Sequence, residues 1–480
     1  MIYLIGEYSV FNRDAAILGV KSLFDKKGVD CEIITPSMDV KHQRNRAALT
    51  SGFDVGTVWS IYDRFTGRVT QEELRLTPEN YQAPPGYQAQ SGQGSLKYLN
   101  GESTLDLKLR ADGSIESIEH IEAGDLIDRF NYDDGGHLIT VEYPLGNDTH
   151  TKIVDAQGEP IFELYQTGKY KKVVKIKYLP MDLDFLSEAM FWEWAFERLV
   201  EAKDSEDKFF IMNESFRRAI ATSDFKKSDV YLLPMQTFDE SFSRDILYDH
   251  YEKIIFNGHD EMKLVGKAFE DRTSSKLYWN NYISTDKIAA NYGVDTFSVY
   301  LNLGTESELV DFNDVTAFVL ETLKSEEQVS FMIEFSLLRD QVNLLDRFRA
   351  SGVDEEMIQN RLQVMTRPLP EIRSAAMASS ILYIHYQNPA MVSSPLMLAI
   401  AAEKPILALE GDPLLNDYLS DSNGKIISDT SVSRLIRQTI YDVEFIQYLA
   451  PELGIVRENF SDENTMRRWD QIFSDKGQKL

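Results

Sequence analysis

Ile2, Leu4 and Ile5 make the opening run of the chain apolar enough for a buried strand. A helical pattern follows over 13–26, with Ala16, Ile17, Val20, Leu23 and Phe24 on one face. Residues 31–34 are a second short apolar run. Strand, helix, strand is the opening of a doubly wound α/β domain. Between about 95 and 178 the helical period gives way to alternation. Short runs at 105–109, 115–118, 127–130, 138–143, 151–154 and 161–165 are separated by Gly101, Gly113, Gly124, Gly135, Gly146, Gly158 and Gly168. Glycine accepts the positive φ of tight hairpins, and a near-regular recurrence of such turns predicts an antiparallel meander. In its first run Leu105, Leu107 and Leu109 share one face, with Asp106 and Lys108 on the other.

The α/β pattern resumes at 186–200, a helix, followed by strands at 209–212, 230–233, 254–256 and 277–279. After about 288 a second alternation starts. Strands are expected at 297–301, 329–333, 381–386, 406–409 and 425–427, and helices at 310–323, 337–350 and 391–402. Helical stretches at 431–449 and 463–473 close the chain. The expected fold class is α/β and GT-B-like: two doubly wound Rossmann-like domains with an inserted antiparallel β-meander. Residues 1–60 and 180–287 make the first domain, 61–179 the insert, and 288–480 the second domain with C-terminal helices.

Charge narrows the partners. Fifty basic against 77 acidic side chains leave a net charge of -27. Such a field repels nucleic acid and anionic lipid, so neither is expected as a partner. Lys169, Tyr170, Lys171 and Lys172 form a local basic run that reads as a solvated strand edge. One cysteine, Cys31, excludes a disulfide framework, and the seven histidines show no metal-site spacing. No metal and no cofactor are expected. The opening residues lack the marks of a signal peptide, and nowhere do 18 apolar residues run together, so no transmembrane segment and a cytoplasmic location are expected.

No phosphate-cradling glycine motif and no nucleophile elbow is present. Asn257-Gly258-His259-Asp260 reads as a strand-end turn before a helix capped by Asp260. His385 lies in an apolar run and reads as a satisfied core histidine. Asp133-Asp134-Gly135-Gly136 reads as a hairpin turn, since the rest of a calcium loop is missing. Trp192 and Trp194, with Phe191 and Phe196, read as core against a sheet.

Retaining GT-B transferases carry two glutamates flanking a segment similar to "LEAMAxGxPVIA". The stretch 397–408 matches that segment, but the two glutamate positions hold Ala390 and Leu398, and Glu403 stands where glycine is usual. The Arg/Lys pair that neutralises a leaving diphosphate is also absent, because the corresponding loop, 303–308, is acidic. No catalytic residue is therefore assigned, and the chain is not expected to be an enzyme.

Several segments carry a family resemblance. Residues 1–5, the run Trp59 to Phe65, Ile283 to Asp286 with 289–293, Asn423 to Asp429, and Trp469 resemble, in order, segments of the first of the accessory Sec (Asp family) export cofactors. The resemblance implies a non-catalytic GT-B-like protein in the export of glycosylated serine-rich repeat adhesins. Its implied partners are the other Asp family proteins, an accessory SecA motor ATPase and the glycosylated adhesin, at the cytoplasmic side of a dedicated translocase. The alternative is a stabilising, acceptor-binding subunit of a peptide O-GlcNAc transferase, and an active retaining glycosyltransferase is the third reading. An interdomain cleft without carboxylates leaves Asn388, Ser393 and Ser394 as candidate sugar-binding residues. The two serines are equally N-cap candidates for the helix beginning near Pro395.

Overall fold

The computed structural model describes residues 1–6, 16–36, 38, 58–67, 74–92, 95–167, 171–178, 181–202, 204, 206–212, 229–233, 251–259, 262–263, 277–280, 282, 297–303, 312–335, 338–351, 354–366, 368, 370–385, 394–409, 418–419, 424–427, 436 and 452–474. They fall into two compact units, one holding most described residues up to Glu252 and the other most of those from Lys253 onward.

The first unit contains a parallel sheet. β1 (Ile2–Ile5) lies between β2 (Cys31–Thr35) and β14 (Lys208–Ile211), with β3 (Val58–Ser60) and β15 (Val230–Leu232) outside them. Helix α1 (Ala16–Lys26) follows β1, and α2 (Ile61–Thr66) follows β3 directly. The start of α2 is set by a capping box. Ser60 Oγ accepts from Asp63 N–H at 3.1 Å, and Asp63 Oδ2 accepts from Ser60 N–H at 2.9 Å. Gly67, at φ 71°, ends it.

The insert is a ten-stranded antiparallel meander: β4 (Gln88–Gly92), β5 (Ser95–Asn100), β6 (Ser103–Leu109), β7 (Ile115–Glu122), β8 (Asp125–Tyr132), β9 (Leu138–Leu145), β10 (Asp148–Val154), β11 (Pro160–Thr167), β12 (Lys171–Tyr178) and β13 (Met181–Phe185). It is longer at both ends than the alternation predicted, because the polar β4 and the Asp-rich β13 lack an apolar run. Leu105 and Leu107 are buried as expected, but a register shift at Lys108/Leu109 leaves Leu109 exposed. Gly101, Gly113, Gly124, Gly146 and Gly158 do take positive φ. At the Asp-Gly-Gly turn the residue that does so is Gly136 (φ 85°), not Gly135. A Cβ on Gly136 would lie 2.5 Å from Leu76 N. Gly135 instead offers its carbonyl to Leu74 and Arg75 N–H. Asp133 Oδ1 accepts from Gly135 and His137 N–H, which makes this the expected hairpin turn.

Registers across the meander give each face two characters. One cross-strand row runs Leu96, Leu107, Ile118, Phe130, Val141, Lys152, Glu163, Lys175, Asp184. The neighbouring row on the other face runs Lys97, Asp106, Glu119, Arg129, Glu142, Thr151, Leu164, Val174, Phe185. Apolar character crosses from one face to the other between β9 and β10. A strap of residues 74–87 covers the first apolar half through Leu76, Tyr81 and Tyr87. The second half is covered by α2 and α3 (Glu188–Glu201). There Phe162 meets Tyr62 and Phe191 edge-on at 5.2 and 5.3 Å, and Phe185 packs against Phe191 and Trp194. Tyr62 donates to Glu188 Oε1 at 2.8 Å, joining the two helices. Trp194 therefore packs as expected from the sequence.

The second unit holds the parallel pair β16 (Lys253–Phe256) and β17 (Leu277–Trp279). It also holds a six-stranded parallel sheet ordered β20-β19-β18-β21-β22-β23. These strands are β18 (Phe297–Asn302), β19 (Val329–Phe335), β20 (Leu362–Thr366), β21 (Ser380–His385), β22 (Ile406–Leu409) and β23 (Gly424–Ile427). Between them run α4 (Phe312–Ser325), α5 (Leu338–Ala350), α6 (Glu355–Arg361), α7 (Pro370–Ser379) and α8 (Ser394–Ala401). β20, α6 and α7 are additions to the predicted elements. A Cβ on Gly424 would lie 2.4 Å from Ile406 O, so the glycine of the Asn-Gly-Lys-Ile-Ile run is required by strand contact. The last helix, α9 (Asp462–Phe473), is tied to β16 and the end of β17. Lys253 Nζ donates to Ile472 O at 2.5 Å, Asn280 Nδ2 to Thr465 O at 3.1 Å, and Arg468 lies 4.7 Å over the Trp279 ring. Trp469 of this helix is fully buried. The helical stretch expected at 431–449 and the 283–293 run fall almost wholly outside the described residues.

Phe162 is fully buried at the centre of the aromatic packing under the meander. Phe162→Ala is expected to lower unfolding free energy by about 3–5 kcal/mol in urea titration, through lost burial and the cavity left behind.

Candidate functional site at the carboxyl ends of the second parallel sheet

In the six-stranded sheet the chain leaves β18 toward β19 on one side and returns to β21 on the other. Loops that diverge at such a point open a crevice at the carboxyl ends of the strands, where open α/β sheets take ligands. Six polar side chains gather there on one sheet face or beside it. Tyr300 and Asn302 come from β18, Glu334 from β19, Tyr383 and His385 from β21, and Arg373 from α7.

They form two hydrogen-bonded groups. In the first, Arg373 Nε and Nη2 donate to Glu334 Oε1 at 3.0 and 2.5 Å, and the Tyr300 hydroxyl donates to Glu334 Oε2. Arg373 and Glu334 are 3% and 4% exposed. Burial first, and then the Glu334 charge, push the Tyr300 hydroxyl far above its ordinary range. Both Glu334 oxygens are thus occupied, and its charge is matched in place by Arg373. Such a carboxylate holds structure; removing either partner would strand the other charge.

The second group is a chain. Asn302 Nδ2 donates to the Tyr383 hydroxyl at 3.2 Å, and that hydroxyl bonds His385 Nδ1 at 2.8 Å. His385 is 1% exposed, and burial pushes its imidazole down to about 4. It is neutral near pH 7, with Nδ1 hydrogen-bonded to the Tyr383 hydroxyl. Nε2 is buried and has no hydrogen-bond partner among the described residues. His385 is thus a core histidine, as expected, but satisfied on one nitrogen only. The site supplies a neutral imidazole with one unpaired nitrogen among the described residues and a locked ion pair.

Of the candidate sugar-binding residues, Asn388 and Ser393 lie outside the described residues, as does Ala390. Ser394 begins α8. Leu398 follows on that helix and packs against the apolar cluster of Tyr300, Tyr383 and Met397. The glycine position of the segment has a structural cause. Glu403 N–H bonds Ile400 O at 3.0 Å and Lys404 N–H bonds Ala399 O at 2.9 Å, a Schellman cap, with Pro405 next. The cap puts Glu403 at φ 52°, a conformation that glycine adopts without strain. Its carboxylate lies 3.3 Å from Arg457, in the helical stretch 452–459. The histidine at the end of the Asn257 turn lies 5.4 Å from the Trp279 ring, and Asn257 Oδ1 accepts from Tyr282 N–H. Asp260 is outside the described residues.

Sequence reasoning missed Glu334, Arg373, Tyr383 and Asn302. Each sits in an otherwise apolar or ordinary run, and only strand order brings them together. The position of Asn302, Glu334 and His385 at strand ends is the one signal available beforehand.

Two outcomes are expected here. An unfolded histidine takes its proton near pH 6.5 and folded His385 only near 4, so its contribution to stability is present above 6.5 and is lost as pH falls through that window. The loss amounts to about 3 kcal/mol, and His385→Asn should flatten that part of a urea-unfolding pH profile. At the cap, both Glu403→Ala and Glu403→Gly lose the Arg457 contact, but only glycine relieves the backbone. Urea titration should find the glycine variant more stable than the alanine variant by about 1 kcal/mol.

No family model matches the chain, and no curated protein matches it in sequence. Solved structures do match in fold. A chain of the complex of accessory secretory proteins 1, 2 and 3 from Streptococcus pneumoniae aligns at TM-score 0.72 with 12% identity, over 99% of each chain. The pneumococcal O-GlcNAc transferase GtfA, in complex with UDP and GlcNAc, aligns at TM-score 0.73 with 14% identity, over 99% of this chain and 98% of that one. TarM of S. aureus aligns at 0.73 with 12% identity, over 98% and 99%. The fold is GT-B-like, with parallel sheets and a large antiparallel sheet, and it is shared by accessory secretory proteins and by glycosyltransferases.

Proposed function

We propose that the protein is a non-catalytic, glycosyltransferase-like component of an accessory Sec machinery that helps export glycosylated serine-rich repeat adhesins. Its partners in this reading are the other accessory secretory proteins, the SecA-type motor and the adhesin, all met in the cytoplasm. The observation that carries the reading is Leu398. The fold-wide likeness to an accessory secretory protein leaves the choice open, because the same fold serves GtfA and TarM. A retaining transferase of this fold places a glutamate at that helix position. Here an uncharged side chain packs into an apolar cluster there, and Glu334, which accepts from Tyr300 of that same cluster, is locked by Arg373 and Tyr300. Neither is free to steady a donor sugar or a developing charge.

The domain assignment goes with this reading: 1–60 with 180–287, the insert 61–179, and 288–480. Asn388, Ser393 and Ser394 are kept as the residues that would touch a sugar of the cargo. Their amide and hydroxyl groups suit neutral hydroxyls and need no charge.

The test is an affinity pull-down of the tagged full chain from its native cytoplasm, with mass spectrometry, paired with calorimetric titration by UDP-GlcNAc. Recovery of two further accessory secretory proteins, with no heat from the nucleotide sugar, is the expected result. Recovery of a single glycosyltransferase subunit would move the protein to the stabilising-subunit reading. Saturable nucleotide-sugar binding would overturn non-catalytic status.

A further inference from the structure

The face of the first parallel sheet beside α3 carries a pocket of about 340 Å³, within the roughly 300–1,000 Å³ of small-molecule sites. Its floor is aromatic. Tyr3 of β1 stacks on Phe209 of β14 at 5.0 Å and 17°. Trp59 of β3 and Phe65 of α2 line it as well. Two guanidiniums, Arg64 from α2 and Arg198 from α3, line it with Asp207, Leu199 and Ala202.

Two of the carboxylates in and beside this pocket are already engaged. Asp207 holds the N-terminal ammonium of Met1 at 3.1 Å and accepts from Asp204 N–H at 3.0 Å. Glu32 accepts from Trp59 Nε1 at 2.9 Å. The donors are not fully engaged. Arg64 is exposed, lies with its guanidinium 5.4 Å from the Trp59 ring centre, and has no ion pair among the described residues. Arg198 pairs with Glu201 through Nη1 at 2.8 Å, and its buried Nε has no hydrogen-bond partner among the described residues. The uncommitted guanidinium of Arg64 sits against ring-sized apolar walls. A guanidinium beside an indole still presents its in-plane N–H groups, the geometry that grips a carboxylate by two bonds.

We propose that this pocket binds a small aromatic carboxylate, or an aromatic side chain bearing one. The ring packs against the aromatic walls, and the carboxylate bonds the exposed Arg64 guanidinium, with the charge of Arg198 nearby. The site is independent of the second sheet and of the export reading.

The probe is N-acetylphenylalanine, with its C-terminal amide as the uncharged control, titrated into the full chain by saturation-transfer NMR. The acid is expected to bind at least tenfold more tightly than the amide. Arg64 is exposed, so Arg64→Gln should fold with an unchanged melting temperature and bring the two affinities within about twofold. Phe65→Ala should weaken both probes. Equal binding of acid and amide, binding of neither, or an acid preference that survives in both Arg64→Gln and Arg198→Gln would overturn the proposal. So would tighter binding of methyl N-acetylglucosaminide than of the acid, which would make the pocket a sugar site.

Discussion

Each strand of an antiparallel sheet sends alternate side chains to opposite faces. In this protein the parity that is apolar reverses halfway across the meander. Leu107, Ile118, Phe130 and Val141 demand cover on one side; Leu164, Val174 and Phe185 demand it on the other. No single layer can satisfy both. The chain answers with a strap ahead of the sheet and with two helices of the parallel sheet behind it. The uncovered half of each face is then charged and paired with itself: Arg129 bridges Glu119 and Glu142, and Lys108 reaches Asp106 and Glu119. These pairs are half-buried on a broad face rather than sealed in a core, and pairs near the surface are worth about 0–1 kcal/mol each.

This reversal explains what could be seen in advance. The 105–109 run alternates so clearly that a strand follows from it, and the glycine recurrence marks the hairpins. The face that each strand buries is different. It depends on accumulated register, and the bulge that exposes Leu109 leaves no residue-level mark. The turn glycine at 135–136 shows the same limit. Both positions are glycine, and only the approach of Leu76 N decides that Gly136 must be the one without a side chain.

The polar network at the second sheet was the least legible part. Glu334 and Arg373 are 39 residues apart, and nothing local pairs them. His385 was readable as a core residue from its apolar neighbours, but its open Nε2 depends on which groups surround it. Glu403 lies between these cases. Its place in the glycine slot of a known segment was visible, while the Schellman cap shows what that slot requires of the backbone.

The two margins of the meander have a consequence for how copies of the protein meet. β4 is Gln-Ala-Gln-Ser-Gly, and β13 sets exposed Asp182 and Asp184 along the outermost backbone. A second molecule approaching strand to strand at β13 would bring aspartate against aspartate. An open sheet of ten strands is thereby kept from growing by addition at that rim. A neighbour that reads the broad sides instead meets the paired charges there, and its grip should weaken as ionic strength rises.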